Sequence, residues 1–330
     1  MGIEFVVTGN LTIDDVVTAD GAISPSQCGG NGVYAAVGAW IWSDSVGLVA
    51  GAGADYPTGW LDRIAAAGID TAGVYRLPET HALRSRVFYR ADGSRTDRVA
   101  EATLPPEVAA LIDLSQDFSA MGSEVHREAW PRYSPAPPQL PASYRRARGA
   151  HLAPGPHANL RALAAQLRAA DDQTVLTLDW PWWDETGQEF DDELLGLVTA
   201  VLPGREELAA WPLRGDAAAT LAGLVRRCPV VVVKEGADGC SVHTAPAVRR
   251  IGVVPVEPGD PTGAGDAFCG GFLVGLARTG DPVLAAAHGA VSASFVVETF
   301  GALSVLEVDR ALAEHRLKSL ISTLDGGIPS

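Results

Sequence analysis

Short apolar runs alternate with longer helical patterns along almost the whole of this 330-residue chain. The run Val230–Val233 consists of four valines, which is typical of a strand buried on both faces of a sheet. The segment before it, Ala217–Arg226, has the pattern of a helix. Strands that alternate with helices in this way pair in parallel, because each helix carries the chain back to the start of the next strand. The sequence therefore predicts an α/β fold in which helices cover both faces of a mainly parallel sheet.

The same reasoning predicts twelve elements in all. The strands are Ile3–Val7, Gly47–Ala50, Val175–Asp179, Val198–Leu202 and Val230–Val233, and the helices are Val33–Trp42, Pro57–Ala67, Arg161–Ala169, Asp191–Leu197, Ala217–Arg226, Val283–Val297 and Val308–Leu320.

Two segments depart from the alternation. In Ser85–Val99, alternating residues flank Asp92-Gly93, which is a strong signal for a β-hairpin. We expect this hairpin, with a segment near 12–20, to form a small lid on a single domain of residues 1–330. The second segment, Gly122–Gly149, is rich in proline and arginine, and we expect it to be irregular.

Composition excludes several classes of protein. The chain is 47% hydrophobic and 20% charged, as a globular protein is, and its net charge of -15 argues against nucleic acid or an anionic membrane as a partner. Four cysteines without a C-x-x-C pair argue against a zinc site and favour reduced, buried thiols. The first residues contain no basic signal region and the chain contains no apolar run of membrane-spanning length, so we expect a cytoplasmic protein.

The run Gly263-Ala264-Gly265-Asp266 carries the clearest chemistry. A glycine-rich turn that opens a helix points unpaired backbone N–H groups outward, and these groups bind anions. A carboxylate beside such an anion site suits phosphoryl transfer, because it accepts the proton of the attacking hydroxyl group. The alternative for these four residues alone is a turn capped by aspartate.

The longer run from Asp260 to Phe272 reads D-P-T-G-A-G-D-A-F-C-G-G-F and resembles the C-terminal signature of the ribokinase family, the PfkB-type carbohydrate kinases. This resemblance implies a ribokinase-like three-layer sandwich with a small β lid. It also implies an ATP- and Mg²⁺-dependent kinase that phosphorylates a hydroxyl of a small sugar or nucleoside. Asp266 would be the general base, and the backbone of Gly263, Ala264 and Gly265 would cradle the transferred group.

Two N-terminal motifs extend the resemblance to the acceptor. Gly9 and Asp14 match the family's G-x-x-x-x-D, which assigns Asp14 to substrate hydroxyls, although a turn aspartate remains the alternative. The residues Gly29, Gly30 and Asn31 match a Gly-Gly turn beside the sugar, with Asn31 placed to bond a hydroxyl.

A departure from this second motif bears on the substrate. Tyr34 stands where the family usually has asparagine, which indicates an acceptor other than plain ribose. An ordinary buried aromatic is the alternative.

Further motifs concern the nucleotide and the metal. Glu207 matches the glutamate of the family's N-x-x-E near Mg²⁺, but Gly204 replaces the asparagine. Lys234, Gly236 and Gly239 match a strand-turn-strand beside the nucleotide phosphates, and an ordinary hairpin is equally consistent with them.

The loop that follows the last-but-one helix has a counterpart in the family as well. The resemblance implies that Thr262 and Gly301 lie at the nucleotide side, where nearby carbonyls can hold K⁺. The small residues of Val283–Val297 would wall the adenine, and tight helix packing explains them equally well.

Rival functions are few. The chain has no Walker P-loop motif and no dinucleotide fingerprint between an opening strand and a helix. Gly204 and Tyr34 motivate one alternative, a catalytically weak or silent sugar- or nucleoside-binding protein on the same fold. The apolar residues Val87, Phe88 and Tyr89 of the hairpin would also suit a homodimer contact.

Overall fold

A computed structural model of the chain describes residues 2–90, 95–96, 124–180, 190–210, 216–245 and 247–325. The predicted turn Asp92-Gly93 lies outside these ranges.

A nine-stranded sheet forms the centre of the molecule, in the order β13-β12-β11-β10-β9-β8-β1-β4-β5. Its strands are β1 (Phe5–Thr8), β4 (Val46–Ala52), β5 (Ile69–Arg76), β8 (Gly149–Leu152), β9 (Val175–Asp179), β10 (Ala200–Leu202), β11 (Val230–Lys234), β12 (Cys240–Thr244) and β13 (Ala247–Ile251). All neighbours pair in parallel except β11 with β12 and β12 with β13, which are antiparallel. The predicted mainly parallel sheet is confirmed.

Ten helices surround the sheet in the part of the chain that the structure describes. They are α1 (Asn31–Trp40), α2 (Thr58–Ala66), α3 (Glu124–Tyr133), α4 (His157–Ala170), α5 (Asp192–Leu197), α6 (Arg205–Ala210), α7 (Ala217–Val225), α8 (Ala264–Thr279), α9 (Pro282–Val297) and α10 (Arg310–Asp325). The twelve predicted strands and helices all occur, with shifts of a few residues at their ends.

The three layers follow from the two-residue period of a strand, which points successive side chains to opposite faces. On β1, Phe5 and Val7 join the core formed with α1, α8, α9 and α10, whereas Val6 joins the core formed with α4, α5 and α7. Each face of the sheet therefore has its own apolar core.

A second, four-stranded sheet has the order β3-β2-β6-β7. Its strands are β2 (Thr12–Val17), β3 (Ile23–Gly29), β6 (Arg84–Tyr89) and β7 (Arg95–Thr96). The antiparallel pairing of β6 with β7 agrees with the predicted hairpin, and the parallel pairing of β2 with β6 joins the two predicted lid segments. We call this sheet the lid sheet; the sequence did not predict its strand β3.

The expectation for Gly122–Gly149 is wrong in part. The helix α3 occupies its first half, and two short 3₁₀ turns follow at Pro137–Gln139 and Ala142–Tyr144. Tyr133 explains the order at the end of α3, because its buried hydroxyl donates to the carbonyl of Thr80 and accepts from the N–H of Ala82. The prolines from Pro135 onward lie after α3, in the part of the segment that contains only the two short turns.

The predicted burial of the thiols is confirmed, since Cys28, Cys228, Cys240 and Cys269 are all buried and none forms a disulfide. Among the described helices, none combines the length and apolar character needed to cross a membrane.

Candidate active site

The carboxyl ends of the parallel strands bring Lys234 and residues that end or follow three other strands to one edge of the central sheet. Gly9 follows β1, Asp179 ends β9, Gly204 follows β10 and Lys234 ends β11. Ligands of open α/β sheets bind in the crevice outside these strand ends. The residues that face this edge therefore define the candidate site.

The helix α8 begins as the glycine-rich run predicts. Gly263 precedes it in the left-handed conformation (φ 78°), and Asp266 lies in the first helical turn. A Cβ atom at Gly263 would lie 2.2 Å from the ring of Tyr34, so both its backbone angles and its surroundings require glycine.

One of the N–H groups of the predicted anion cradle already has an acceptor. The N–H of Ala264 donates to the carbonyl of Pro261 at 3.1 Å, so this group is engaged within the turn. The first intrahelical bond runs from the N–H of Ala267 to the carbonyl of Gly263, at 2.9 Å. The amides of Gly265 and Asp266 belong to the first turn, whose N–H groups have no intrahelical acceptor.

Asp14 lies directly against the Gly-Gly turn. Its side chain is only 3% exposed, and a Cβ atom at Gly29 would lie 1.7 Å from Asp14 Oδ2. Gly30 has a φ of 103° and leads into α1. Gly29 therefore lets the backbone approach the Asp14 carboxylate. The predicted close approach of the Gly29–Gly30 backbone to a substrate stays a prediction.

Thr12 is a site residue that the sequence reasoning missed. It lies two residues before Asp14 on β2, so both side chains point to the same face of the strand, and its Oγ1 would lie 3.0 Å from a Cβ at Gly29. The buried Thr12 hydroxyl has no hydrogen-bond partner among the described residues. The two-residue spacing was the signal that could have identified it.

Asn31 is held by backbone groups. Its Oδ1 accepts from the N–H of Asn10 at 2.6 Å, and its Nδ2 donates to the carbonyl of Pro154 at 3.4 Å. The side chain thereby ties the turn after β1 to the loop after β8. One N–H of the amide group is left to bond a substrate hydroxyl. This contact stays a prediction.

Tyr34 lies between the two halves of the site. It is 2% exposed, and burial raises the pKa of its hydroxyl well above the usual value. The negative charges of Asp14, Asp260 and Asp266 raise this pKa further. Tyr34 is therefore a neutral phenol within electrostatic reach of both the Asp14 carboxylate and the carboxylate of Asp266 on α8.

Glu207 folds back onto its own helix end. Its Oε2 accepts a hydrogen bond of 2.5 Å from the N–H of Gly204, the residue before α6. A Cβ atom at Gly204 would lie 3.0 Å from the same oxygen. The asparagine of the family motif would crowd this arrangement, so the glycine and the folded glutamate belong together.

Lys234 brings a positive charge to the start of α8. Its Nζ lies 2.6 Å from Asp179 Oδ1 and would lie 3.7 Å from a Cβ at Gly265. Burial by itself would lower the pKa of Lys234, but the negative charge of Asp179, followed by those of Glu207 and Asp266, holds it well above the usual value. The ammonium group is therefore charged at neutral pH.

The hairpin between β11 and β12 has the predicted form. Gly236 and Gly239 both have positive φ, at 60° and 85°, and bound a 3₁₀ turn. A Cβ at Gly239 would lie 2.1 Å from the carbonyl of Ile251, so this glycine has a structural role. A role beside nucleotide phosphates stays a prediction for both.

Two loops meet the lid sheet at this edge. The hydroxyl groups of Tyr89 and Thr262 lie 2.9 Å apart. A Cβ at Gly301, which has a φ of 70°, would lie 2.6 Å from Gln27 Oε1 on β3. The lid sheet therefore contacts both predicted cofactor loops.

Asp260 carries a buried carboxylate with one unused oxygen. The side chain is fully buried, and Oδ1 accepts from the N–H of Thr262 at 2.9 Å. Oδ2 has no hydrogen-bond partner among the residues described. Burial raises the pKa of this carboxyl group.

The small residues of α9 pack against α8. A Cβ at Gly271 would lie 2.3 Å from Ser292 Oγ, and a Cβ at Gly289 would lie 2.8 Å from the carbonyl of Phe268. The alternative of tight helix packing is therefore confirmed for these residues, and a contact with adenine stays a prediction.

Solved structures with the same fold are kinases. A nucleoside kinase of Burkholderia thailandensis in complex with inosine superposes with a TM-score of 0.70, at 16% identity, over 96% of this chain and 98% of its own. A ribokinase of Arabidopsis thaliana complexed with ribose and ATP gives a TM-score of 0.65, at 19% identity, over 96% and 99%. The fold is thus the ribokinase-like α/β fold, with its large central sheet and small second sheet.

The family follows from the sequence comparison. The model of the pfkB family carbohydrate kinases matches residues 127–309, which is more than half of the chain. The chain belongs to this family. A cytidine kinase of Thermococcus kodakarensis is 27% identical over 288 residues, which cover 84% of this chain and 89% of the relative.

Proposed function

We propose that this protein is an ATP- and Mg²⁺-dependent kinase that phosphorylates a hydroxyl group of a small sugar or nucleoside, with Asp266 as general base. The observation that carries the proposal is the first turn of α8, where Asp266 lies beside Gly265 and the charged Lys234. A base and backbone N–H groups in one turn, with a cation held against that turn, are what phosphoryl transfer needs.

Each residue has a distinct task in this proposal. Asp14 and Thr12 orient the acceptor, because their oxygens share one face of β2 next to Gly29. Asp266 accepts the proton of the acceptor hydroxyl as it attacks. Lys234 and the amides of the first turn stabilise the negative charge on the transferred phosphoryl group.

We favour a nucleoside over a simple sugar as the acceptor. The Thermococcus relative, which matches 84% of this chain, is a cytidine kinase. Tyr34 adds a physical reason, since a buried ring between the carboxylates of Asp14 and Asp266 takes space that a second polar contact to a small sugar would use.

The residues present fit both proposed cations. Glu207 offers a carboxylate near Lys234, and Mg²⁺ binds through one or two carboxylates together with phosphate oxygens and water. Mg²⁺ held there would neutralise charge on the phosphates. Asp260 Oδ2, a buried oxygen without a partner among the described residues, fits the proposed K⁺ beside Thr262 and Gly301.

We also propose a homodimer through the lid sheet, but with contact residues other than those expected from the sequence. Val87 and Phe88 are buried within the chain, at 6% and 3% exposure, so they are not the contact residues. The edge strand β3, where Pro25 and Ser26 are exposed, is the place for a second subunit. Light scattering tests the proposed homodimer.

The protein is also proposed to be cytoplasmic, and cell fractionation tests this location.

A screen of acceptors tests the proposed function. The purified protein is incubated with ATP, Mg²⁺ and a panel of nucleosides and sugars, and ADP release and the phosphorylated product are measured. We expect at least one nucleoside to be phosphorylated. Asp266→Asn serves as the matched control, and should retain fold and nucleotide binding while turnover falls about 10²- to 10⁴-fold.

The silent binding protein predicts a different result from the same screen. Sugars or nucleosides would then raise the melting temperature without being phosphorylated, and Asp266→Asn would behave like the wild type. Near-wild-type turnover by Asp266→Asn would show that another group is the base.

A further inference from the structure

Four side chains meet beneath the start of α8, and three of them have no role in any of the sequence motifs. His151 on β8, Asp179 on β9 and Cys269 on α8 are buried, and one ligand-type atom of each lies within 4.8 Å of the others. Lys234 reaches into this group from the end of β11. We call these four residues the lysine cluster.

The three residues other than Lys234 form a donor set that could bind a transition metal. The position of the cation is, however, taken by Lys234, whose Nζ lies 2.6 Å from Asp179 Oδ1 and 3.6 Å from Cys269 Sγ. Burial raises the pKa of the Cys269 thiol well above its usual value, so it stays protonated, whereas metals bind the thiolate. The cluster is therefore arranged around an ammonium ion.

His151 adds no positive charge to the cluster at neutral pH. Its Nδ1 lies 3.0 Å from Thr177 Oγ1, and Nε2 has no hydrogen-bond partner in the described part of the chain. Burial lowers the pKa of His151 to about 4, so the ring is neutral at pH 7. Asp179 thus has one cationic partner, Lys234, within the cluster.

We propose that Asp179 is a positioning residue, which holds the Lys234 ammonium group against the first turn of α8 so that one of its N–H donors points to the nucleotide phosphate. An ammonium group has three donors, and Asp179 and Cys269 take two of them. The third is left on a nitrogen that would lie 3.7 Å from a Cβ at Gly265.

A flexible four-carbon side chain would not keep this position unaided. Lysine carries a compact charge on a stem with many rotamers, and its ammonium group is strongly hydrated. The Asp179 carboxylate, 4% exposed, compensates the lost hydration and selects one rotamer. The orientation of the Asp179 side chain is fixed as well, because its Oδ1 also accepts from the N–H of Trp180 at 2.7 Å.

The composition of the chain allows a direct test, because its only lysines are Lys234 and Lys318. Labelling with ¹⁵N-lysine marks both ammonium groups, and the exposed Lys318 is the internal reference for a group that exchanges rapidly with solvent. We expect a slowly exchanging Lys234 signal that shifts when a non-hydrolysable ATP analogue is added. In Asp179→Asn this signal should be lost to solvent exchange or should no longer respond to the analogue.

Kinetics give the second arm of the test, which rests on the proposed function. Asp179→Asn and Lys234→Met should each raise the KM for ATP about 10- to 100-fold, with a smaller effect on the KM for the acceptor. The double variant should be no worse than Lys234→Met alone, because Asp179 acts through Lys234. Asp192→Asn, which removes an exposed carboxylate elsewhere, should match the wild type in both arms.

Each failure has its own signature. If the wild type phosphorylates no acceptor, the proposed function fails and the NMR arm with the ATP analogue still decides the role of Asp179. If Asp179→Asn does not fold, Lys234→Met decides, and unchanged affinity for the analogue overturns the proposal. A Lys234 signal that ignores the analogue, or a stoichiometric zinc ion in the purified protein, overturns it as well.

Discussion

Tyr89 of the lid sheet and Thr262 of the loop before α8 place their hydroxyl groups 2.9 Å apart. Tyr89 ends β6, and Thr262 directly precedes Gly263, the residue before α8. The bond therefore joins the lid sheet to the loop that precedes α8. We expect it to couple the position of the lid sheet to the position of this loop.

Removing the Tyr89 hydroxyl should loosen this connection. In Tyr89→Phe we expect the KM for the acceptor to rise about 2- to 10-fold, which is the usual worth of one hydrogen bond. ATP hydrolysis without acceptor should increase, because a looser lid admits water. Coupled assays of ADP release with and without acceptor measure both effects.

A matched control distinguishes the lid from a general effect of losing a hydroxyl. Tyr75→Phe removes a hydroxyl that donates to the carbonyl of Arg132, away from the site, and should leave both rates unchanged. Equal behaviour of the two variants would argue that the Tyr89–Thr262 bond has no part in closure.

Tyr34 should decide which acceptors fit. Its ring lies against Gly263, so Tyr34→Asn opens space next to the cradle and supplies two polar groups. We expect the ratio of kcat/KM for ribose to that for the best nucleoside to rise about tenfold, a change typical of a reshaped pocket. Tyr34→Phe, which keeps the ring, is the control, and an unchanged ratio in Tyr34→Asn would remove Tyr34 from acceptor selection.

Restoring the family motif at position 204 should strengthen the metal site. In Gly204→Asn the new Cβ would lie 3.0 Å from Glu207 Oε2, which displaces the glutamate from the Gly204 N–H and directs it outward. We expect half-saturation at a Mg²⁺ concentration about 10-fold lower, by analogy with residues that orient metal ligands. Mg²⁺ titrations at a fixed ATP concentration measure this half-saturating Mg²⁺ concentration.

The control for this change is Gly196→Asn on α5, where a Cβ would meet nothing within 4 Å. It should leave the Mg²⁺ requirement unaltered. A requirement that is equally unaltered in Gly204→Asn would mean that Glu207 does not serve the metal.

Acid should destabilise the protein through two buried histidines. Burial lowers the pKa values of His81 and His151 to about 4, whereas an unfolded histidine titrates near pH 6.5. Between these values the unfolded state binds more protons, so stability is lost as the pH falls from about 6.5 to about 4. Each histidine accounts for up to about 3 kcal/mol across this range.

The variant His81→Gln tests this pH dependence. His81 Nδ1 accepts from the N–H of Gly53, and Nε2 donates to the carbonyl of Leu11, and a glutamine side chain offers one acceptor and one donor without titrating. We expect its free energy of unfolding, measured by denaturant at several pH values, to fall less steeply below pH 6.5. A slope equal to that of the wild type would contradict the assignment.

Local features of the sequence were sufficient where the backbone itself imposes the requirement. Gly263, Gly236 and Gly239 adopt positive φ, and such turns leave a glycine signature within a few residues. The start of α8 and the β11–β12 hairpin could therefore be predicted, as could the parallel sheet from its apolar runs. The first half of Gly122–Gly149 was misjudged, because the helix α3 that lies there is ordered by distant contacts of Tyr133.

The lysine cluster shows what local features do not contain. Asp179 lies 55 residues from Lys234 along the chain, and no sequence pattern around either residue predicts that the two are in contact. They meet because parallel strands deliver their carboxyl ends to the same edge of the sheet, and β9, β10 and β11 are neighbours there. The sequence alone indicated the family through the resemblance of its motifs. It also determined the fold class and the Gly263–Asp266 turn, since these depend on short-range periodicity and on backbone angles. Only the tertiary structure decided which charges pair, that Asn31 is tied to backbone groups and that Glu207 folds onto Gly204, because these contacts depend on how separate elements pack.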